Sequence, residues 1–250
     1  MPDDVLHHEL VPLPESGRRF TATRRVRWGD GDRAGRLRLD AVARYLQDVA
    51  NDDVRDAGHD PAAAWVVRRT SIEVVAAPTV GEVVDVTTWA SGSGRCWAER
   101  RTTITGDAGG HVETVSLWIF LDPVTGRPAR LTQDFHDTWG EATGGRKVPA
   151  RNLLGPPPDG LTGRRWPLRS TDLDGLGHVN NAATWAPVED ELDRLAITAR
   201  RADLEYADAI DRGDHVTLLS ADEDGGVVRL WLTVGGAARA SAAVAVALSG

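Results

Sequence analysis

A chain of 250 residues, 41% hydrophobic and 26% charged, has enough apolar material for packed cores and excludes general disorder. Its net charge of −8 argues against general nucleic-acid binding, which needs excess positive charge along a groove. The single cysteine, Cys96, rules out an internal disulfide and any multi-cysteine zinc site, and agrees with a reducing compartment.

The opening MPDDVLHH has neither a basic nor an apolar signal region. No later apolar run approaches the roughly 18 residues of a membrane helix, so a cytoplasmic protein with no membrane span is expected. Residues 1–18, with Pro2, Pro12, Pro14 and Gly17, read as an extended lead-in, and 20–28 as a strand. After a turn at 30–35, Asp40 is placed to cap a helix carrying Val42, Leu46 and Val49 on one face, with Gly58 as its stop. The period then changes. Residues 66–75, 82–89, 96–105 and 112–121 are rich in Val, Thr, Trp and Ile and are parted by Gly- and Pro-bearing turns, which predicts antiparallel strands. Residues 140–163 have the Pro and Gly density of a surface linker. A second helix follows, marked by Trp185, Val188, Leu192 and Leu195, with Pro187 predicting an irregular first turn. Strands are expected at 203–207, 215–221, 227–234 and 240–248. Trp89, Trp97, Trp118 and Trp231 are expected in cores, and the arginine pairs at 24–25, 68–69, 100–101, 164–165 and 200–201 on solvated strand faces, unless they gather to hold an anionic carrier.

The chain repeats itself. Arg27-Trp-Gly-Asp-Gly-Asp-Arg-Ala-Gly-Arg-Leu37 recurs as Arg169-Ser-Thr-Asp-Leu-Asp-Gly-Leu-Gly-His-Val179, with Arg169 and Gly177 each 142 residues beyond Arg27 and Gly35. Arg68-Arg-x-x-Ile-Glu73 recurs as Arg200-Arg-x-x-Leu-Glu205, 132 residues on, with Gly81 matched by Gly213. One helix followed by several antiparallel strands, made twice, predicts an α+β chain of two like units: 1–139, a linker at 140–163, and 164–250. The copies differ where it matters for chemistry. The second has His178, Asn180 and Asn181 where the first has Arg36, Arg38 and Leu39.

Asp172-Leu-Asp-x-x-x-His178-Val-Asn-Asn181 resembles the second-domain signature of acyl-carrier-protein thioesterases. Tyr45-Leu-Gln-Asp-Val, the Ile72-Glu-Val stretch after Trp65, the Gly81-to-Trp89 block and Trp118-Ile-Phe-Leu-Asp resemble the first domain of the same family. The likeness runs in order from about residue 20 to about 234. It implies a tandem (double) hotdog, each unit a sheet wrapped round a central helix, with the acyl chain bound by the first unit and hydrolysis carried out by the second. The implied substrate is a fatty acyl thioester on acyl carrier protein or coenzyme A, with no cofactor and no metal. Monomer and homodimer are both left open. Two positions depart from the plant pattern: Leu176 stands where an Asn is expected, and Ala209 where a Glu is expected, with Glu205, Asp208 and Asp211 nearby.

Thioester hydrolysis needs an activated water and donors for the oxygen that becomes negative. A loop leading into a helix offers free N–H groups near Asn181 and Ala182 for that oxygen. Asp174 is the candidate water-orienting base and His178 its polar partner or proton carrier. Asn180 and Asn181 would position the thioester or cap the helix, the cap being the stronger reading for Asn181. Asp172 is read as a turn residue. Glu189, on the second helix and aligned with Gln47 in the repeat, is a reserve base, its alternative being an exposed surface position. A fused hotdog hydratase or dehydratase and a non-catalytic acyl or acyl-carrier binding module remain as other readings.

Overall fold

The computed structural model describes residues 9–60, 65–223 and 226–246. Among these residues ten strands form one sheet: β1 (Arg19–Arg25), β2 (Trp65–Ala76), β3 (Val83–Ser93), β4 (Trp97–Gly106), β5 (His111–Phe120), β6 (Arg164–Trp166), β7 (Ala199–Tyr206), β8 (Val216–Glu223), β9 (Val227–Val234) and β10 (Ala237–Val246). Their order is β1-β3-β4-β5-β2-β7-β10-β9-β8-β6, all neighbours antiparallel. The second half retraces the first in reverse, so the two copies are related by a pseudo-two-fold axis at the β2–β7 seam. Alternation sets the faces: Val84 and Val86 are buried while Asp85 between them is exposed. The buried rows of both halves, with α1 (Leu39–Asp56) and α3 (Ala186–Leu195), make one core that includes Val42, Val49, Ile72, Trp185, Val188 and Leu204. This is the α+β tandem hotdog that the repeat and the resemblance predict. No described helix is long and apolar enough to cross a membrane.

The repeated Arg-Arg-x-x-[Ile/Leu]-Glu motif explains the seam. Antiparallel pairing sets Arg69 opposite Glu205, Ser71 opposite Asp203 and Glu73 opposite Arg201. Each motif thus presents its second arginine to the glutamate of the other, 3.7 Å apart in both cases. Arg69 and Arg101 are buried, and the Arg201 side chain is only 12% exposed, so these arginines are structural partners and not the solvated faces expected of them.

The linker is also more than a spacer. Leu153 and Leu154 donate their N–H groups to Glu205, Trp97 and Trp231 donate their indole N–H groups to the carbonyls of Val148 and Gly155, and Leu154 packs on Val227 and Ala243. Residues 146–155 therefore lie pinned along the outer face of the sheet.

Helix α1 starts one residue before the expected cap. Arg38 is its N-cap without a side-chain bond, and Asp40 is engaged by the Arg38 guanidinium. Gly58, at φ +77, closes the helix as expected, and the next N–H reaches back to Val54. The irregular start expected from Pro187 is present: a 3-10 turn at Ala183–Trp185 precedes α3, where Pro187 sits in the first turn. Leu195 is exposed because α3 ends there, with Ala196 left-handed. Strand β1 stops at Arg25, short of Trp28, and β7 begins at Ala199, four residues early. An unexpected helix, α2 (Gln133–Trp139), buries Phe135 and Trp139. Of the predicted last strand, 247–248 lie outside the described residues.

Candidate active site

The two Asp-x-Asp loops fold alike, bond for bond. In the second, Asp172 caps the turn by accepting from the Arg169 N–H (2.8 Å) and pairs with the Arg169 side chain; in the first, Asp30 does the same for the Arg27 N–H (2.9 Å) and also accepts from Tyr45. Both aspartates are buried, in keeping with the turn role expected of Asp172. Asp174 Oδ1 then accepts from the N–H groups of Leu176 (2.8 Å) and His178 (3.2 Å), as Asp32 Oδ1 does from Ala34 and Arg36. Gly177 and Gly35 supply the left-handed residue that the chain needs to fold back, at φ +84 and +77. The matched turns differ in one respect, since Gly81 is left-handed and Gly213 is not.

Asp174 Oδ2 carries no hydrogen bond among the described residues, so one carboxylate oxygen is held while the other is free to act. His178 Nε2 stands 3.4 Å from Asp211 Oδ1, an acid two residues beyond Ala209. Neither Asn181 nor Asn180 is the N-cap; Asn180 Oδ1 accepts from the Ala182 N–H (2.8 Å) in the turn before the helical segment, which removes that N–H from the donors available to an oxyanion. Asn181 is fixed instead through its carbonyl, which accepts from the Tyr206 hydroxyl (3.0 Å), itself held by the Trp185 indole. Burial pushes the Tyr206 phenol up, so it stays a donor. The Asn181 N–H and side chain have no partner among the described residues.

Asp174 and Asn181 sit where two cavities meet. The smaller, about 290 Å³, lies in the first half between α1 and the sheet, lined by Ala50, Val54, Trp65, Trp118, Phe135 and Trp139 together with Gln47, Asn51 and Arg100. The larger, about 610 Å³, opens outward past Arg68, Trp97, His178, Tyr206 and Arg239, with Cys96 on its wall. Asp174, Asn181 and Trp65 line both. Trp97 and Trp118 thus face cavities, whereas Trp89 and Trp231 are core residues as expected. Leu176 is 80% exposed at the larger cavity's mouth, where Ala209 also lies.

Glu189 is not with them. It lines a third cavity, of about 260 Å³, opposite the first copy's loop, beside Asp32, Arg36 and Arg38. There its carboxylate accepts from the Leu39 N–H at the start of α1. Burial raises the Glu189 carboxyl to about 7; the Leu39 N–H and Arg38 act against this, and Asp40 and Asp32 reinforce it. Ion pairs fill the rest, Arg33 with Asp193 (2.7 Å) and Arg36 with Asp32 (2.8 Å). By the repeat, Leu39 corresponds to Asn181 and Glu189 to Gln47. The chain therefore holds two pseudo-equivalent sites: one whose loop and helix carry ion pairs and Glu189, and one that presents the amides of Gln47, Asn51 and Asn181 beside Asp174 and has a free N–H where the other seats a carboxylate oxygen. Gln47, Asn51, Tyr206 and Asp211 complete this site; Asp211 is one of the three acids that the sequence offers near Ala209 without assigning a role, whereas Asn51 and Tyr206 were not singled out, and the Gln47–Glu189 alignment was the signal that pointed across the axis.

Residues 17–139 match the acyl-ACP thioesterase N-terminal domain and 158–244 the C-terminal domain of the same family. An uncharacterized protein of Mycobacterium tuberculosis is 35% identical over 247 residues, covering 95% of this chain and 98% of its own length. Two solved structures share the fold at 20% identity: an acyl-ACP thioesterase from Bacteroides thetaiotaomicron (TM-score 0.76, 92% of this chain and 98% of that one) and a 12:0-ACP thioesterase from Umbellularia californica (TM-score 0.75, 92% and 97%). The chain belongs to the acyl-ACP thioesterase family and is a thiolester hydrolase with the double hotdog fold.

Proposed function

We propose that the site at Asp174 and Asn181 hydrolyses acyl-ACP thioesters, with the acyl group in the smaller cavity and the carrier's pantetheine arm in the larger. The observation that supports this is the position of Asp174 and Asn181 on the walls of both cavities, which suits a thioester carbonyl held at their junction. Arg68 and Arg239 on the outer cavity suit a phosphate at the far end of that arm. In this reading the unit at 1–139 holds the acyl group and supplies Gln47, the unit at 164–250 supplies the chemistry, and 140–163 joins them. One chain builds the whole site, so no second copy is required.

Asp174 Oδ2 takes a proton from water as the water oxygen bonds to the carbonyl carbon. The oxygen that becomes negative is received by the Asn181 N–H, at the position where the Leu39 N–H meets a carboxylate in the other site, and by the Gln47 carboxamide. The carbon–sulfur bond then breaks. A thiol ionises near 8.5, so the thiolate leaves readily and regains a proton from Asp174 or from His178, which Asp211 orients. Asn180 holds the loop. The test is thiol release from matched acyl-ACP and acyl-CoA thioesters. Turnover of the carrier-bound form that is lost in Asp174→Asn supports the reading; faster turnover of the CoA form moves the carrier assignment, and binding without turnover by the parent chain overturns hydrolysis.

A further inference from the structure

The smaller cavity is built for something other than a long saturated chain. Four aromatic rings wall it, and three of them belong to a packed group: Trp65 lies 5.8 Å from Phe135, and Phe135 5.7 Å from Trp139. The far wall is not free to retreat. Trp139 donates its indole N–H to Asp53 Oδ2 (2.9 Å), and Asp53, 1% exposed, also binds Arg18 and Arg100 at 2.7 Å each. An acyl chain longer than the cavity would have to displace that buried ion network, which costs several kcal/mol once a charge loses its partner.

The remaining lining is polar. Gln47 and Asn51 present carboxamides, and Arg100, 14% exposed, commits only Nη1, to Asp53 and to Thr88, so Nη2 and Nε have no hydrogen bond among the described residues. Methylenes packed there would leave these donors dry, at about 1–3 kcal/mol for each unsatisfied group. A ring bearing an oxygen satisfies both halves of the lining, stacking on the aromatics and accepting from Arg100 or Asn51. The oxygen should be neutral, since Asp60 lines the same cavity and Asp53 lies behind Arg100. Size agrees: a cavity of about 150 Å³ takes up benzene, so 290 Å³ holds about a dozen heavy atoms.

We infer that the acyl group is a hydroxyl-bearing aromatic acid, its ring in the Trp65–Trp118–Phe135–Trp139 box and its hydroxyl on Arg100 and Asn51. This rests on the thioesterase reading of the same site. The full chain would be assayed for thiol release with palmitoyl, octanoyl, benzoyl, 4-hydroxybenzoyl and 3-(4-hydroxyphenyl)propanoyl thioesters on one acyl carrier protein. We expect at least one hydroxyaryl thioester to exceed palmitoyl by 10-fold or more in kcat/KM. Arg100→Met should lower the ratio of hydroxylated to unhydroxylated aryl turnover about 10-fold. Asn51→Leu, which leaves the Asp53 network untouched, makes the same comparison should Arg100→Met not fold. Palmitoyl or octanoyl turned over fastest, in an Asp174-dependent manner, would overturn the aromatic assignment and keep the thioesterase reading. No turnover of any member would overturn both.

Discussion

Asp32 and Asp174 receive the same two backbone bonds in loops of one shape, so what separates them is their company. Asp32 has Arg36 in its place of His178 and is locked by it, which holds its carboxyl below the usual range even though partial burial alone would raise it. Asp174 keeps one oxygen free. Asp174→Asn retains Oδ1 for the turn and removes only the charge, so kcat should fall on the order of 10²-fold or more with KM little changed, and His178→Ala should lose a similar factor. Steady-state kinetics on folded variants decide it; near-parent rates for both would place the site elsewhere. Glu189→Gln makes the opposite prediction. Glu189 faces the ion-paired site, so activity should stay near the parent, but stability should change with pH. Its carboxyl titrates near 7 in the fold and near 4.5 when unfolded. The folded state therefore holds the proton more tightly, and the stability this supplies is full below pH 4.5 and lost as pH rises to 7, by up to about 3 kcal/mol. Denaturant midpoints between pH 5 and 8 should fall with rising pH in the parent and run flatter in Glu189→Gln. At this scale the sequence was legible where a residue acts on its own loop, as for Asp172 and Asp174. It was not legible for Glu189 and Gln47, whose surroundings are supplied by the opposite half, nor for which of Asn180 and Asn181 bonds the turn with its side chain, which depends on one backbone step.

Among elements, the strands rich in β-branched residues were readable because burial on one face imposes a period of two, and Val227–Val234 matches its expected range to the residue. Helix α2 was not readable: its apolar residues, Phe135 and Trp139, are only two, and they gain meaning from α1 and β3, not from their own spacing. The linker carried the composition of a flexible spacer, yet its buried anchors are single residues scattered among Pro and Gly. What Leu153 and Leu154 grip is Glu205 of β7, 2% exposed, which takes both N–H groups while facing Arg69. Glu205→Ala should cost about 3–5 kcal/mol, since it strands a buried arginine and two amides, and should speed hydrogen exchange at Leu153 and Leu154. Unchanged exchange there would mean the linker is held elsewhere.

At the scale of the whole molecule, the duplication was legible from two constant offsets, and with it the mirrored order of the sheet. What the offsets do not carry is the asymmetry of the two sites, because that arises from pairing the loop of one half with the helix of the other. The sheet runs unbroken through β2 and β7, so thermal unfolding should give one transition by calorimetry and circular dichroism together, and two resolved transitions would show halves that melt separately.

The seam motif is complementary to itself, and a half released from its neighbour could pair with a twin by the same Arg–Glu contacts. A pair of second halves would bring the His178 loop against Glu189, and a pair of first halves would set the Arg36 loop against Gln47. Neither assembly contains the amide-lined site. That combination exists only while one polypeptide carries both halves, so that a substitution alters one of the two sites and leaves its counterpart alone. The peptide bond between the units is thus the device that lets one site carry ion pairs while the other keeps its amides.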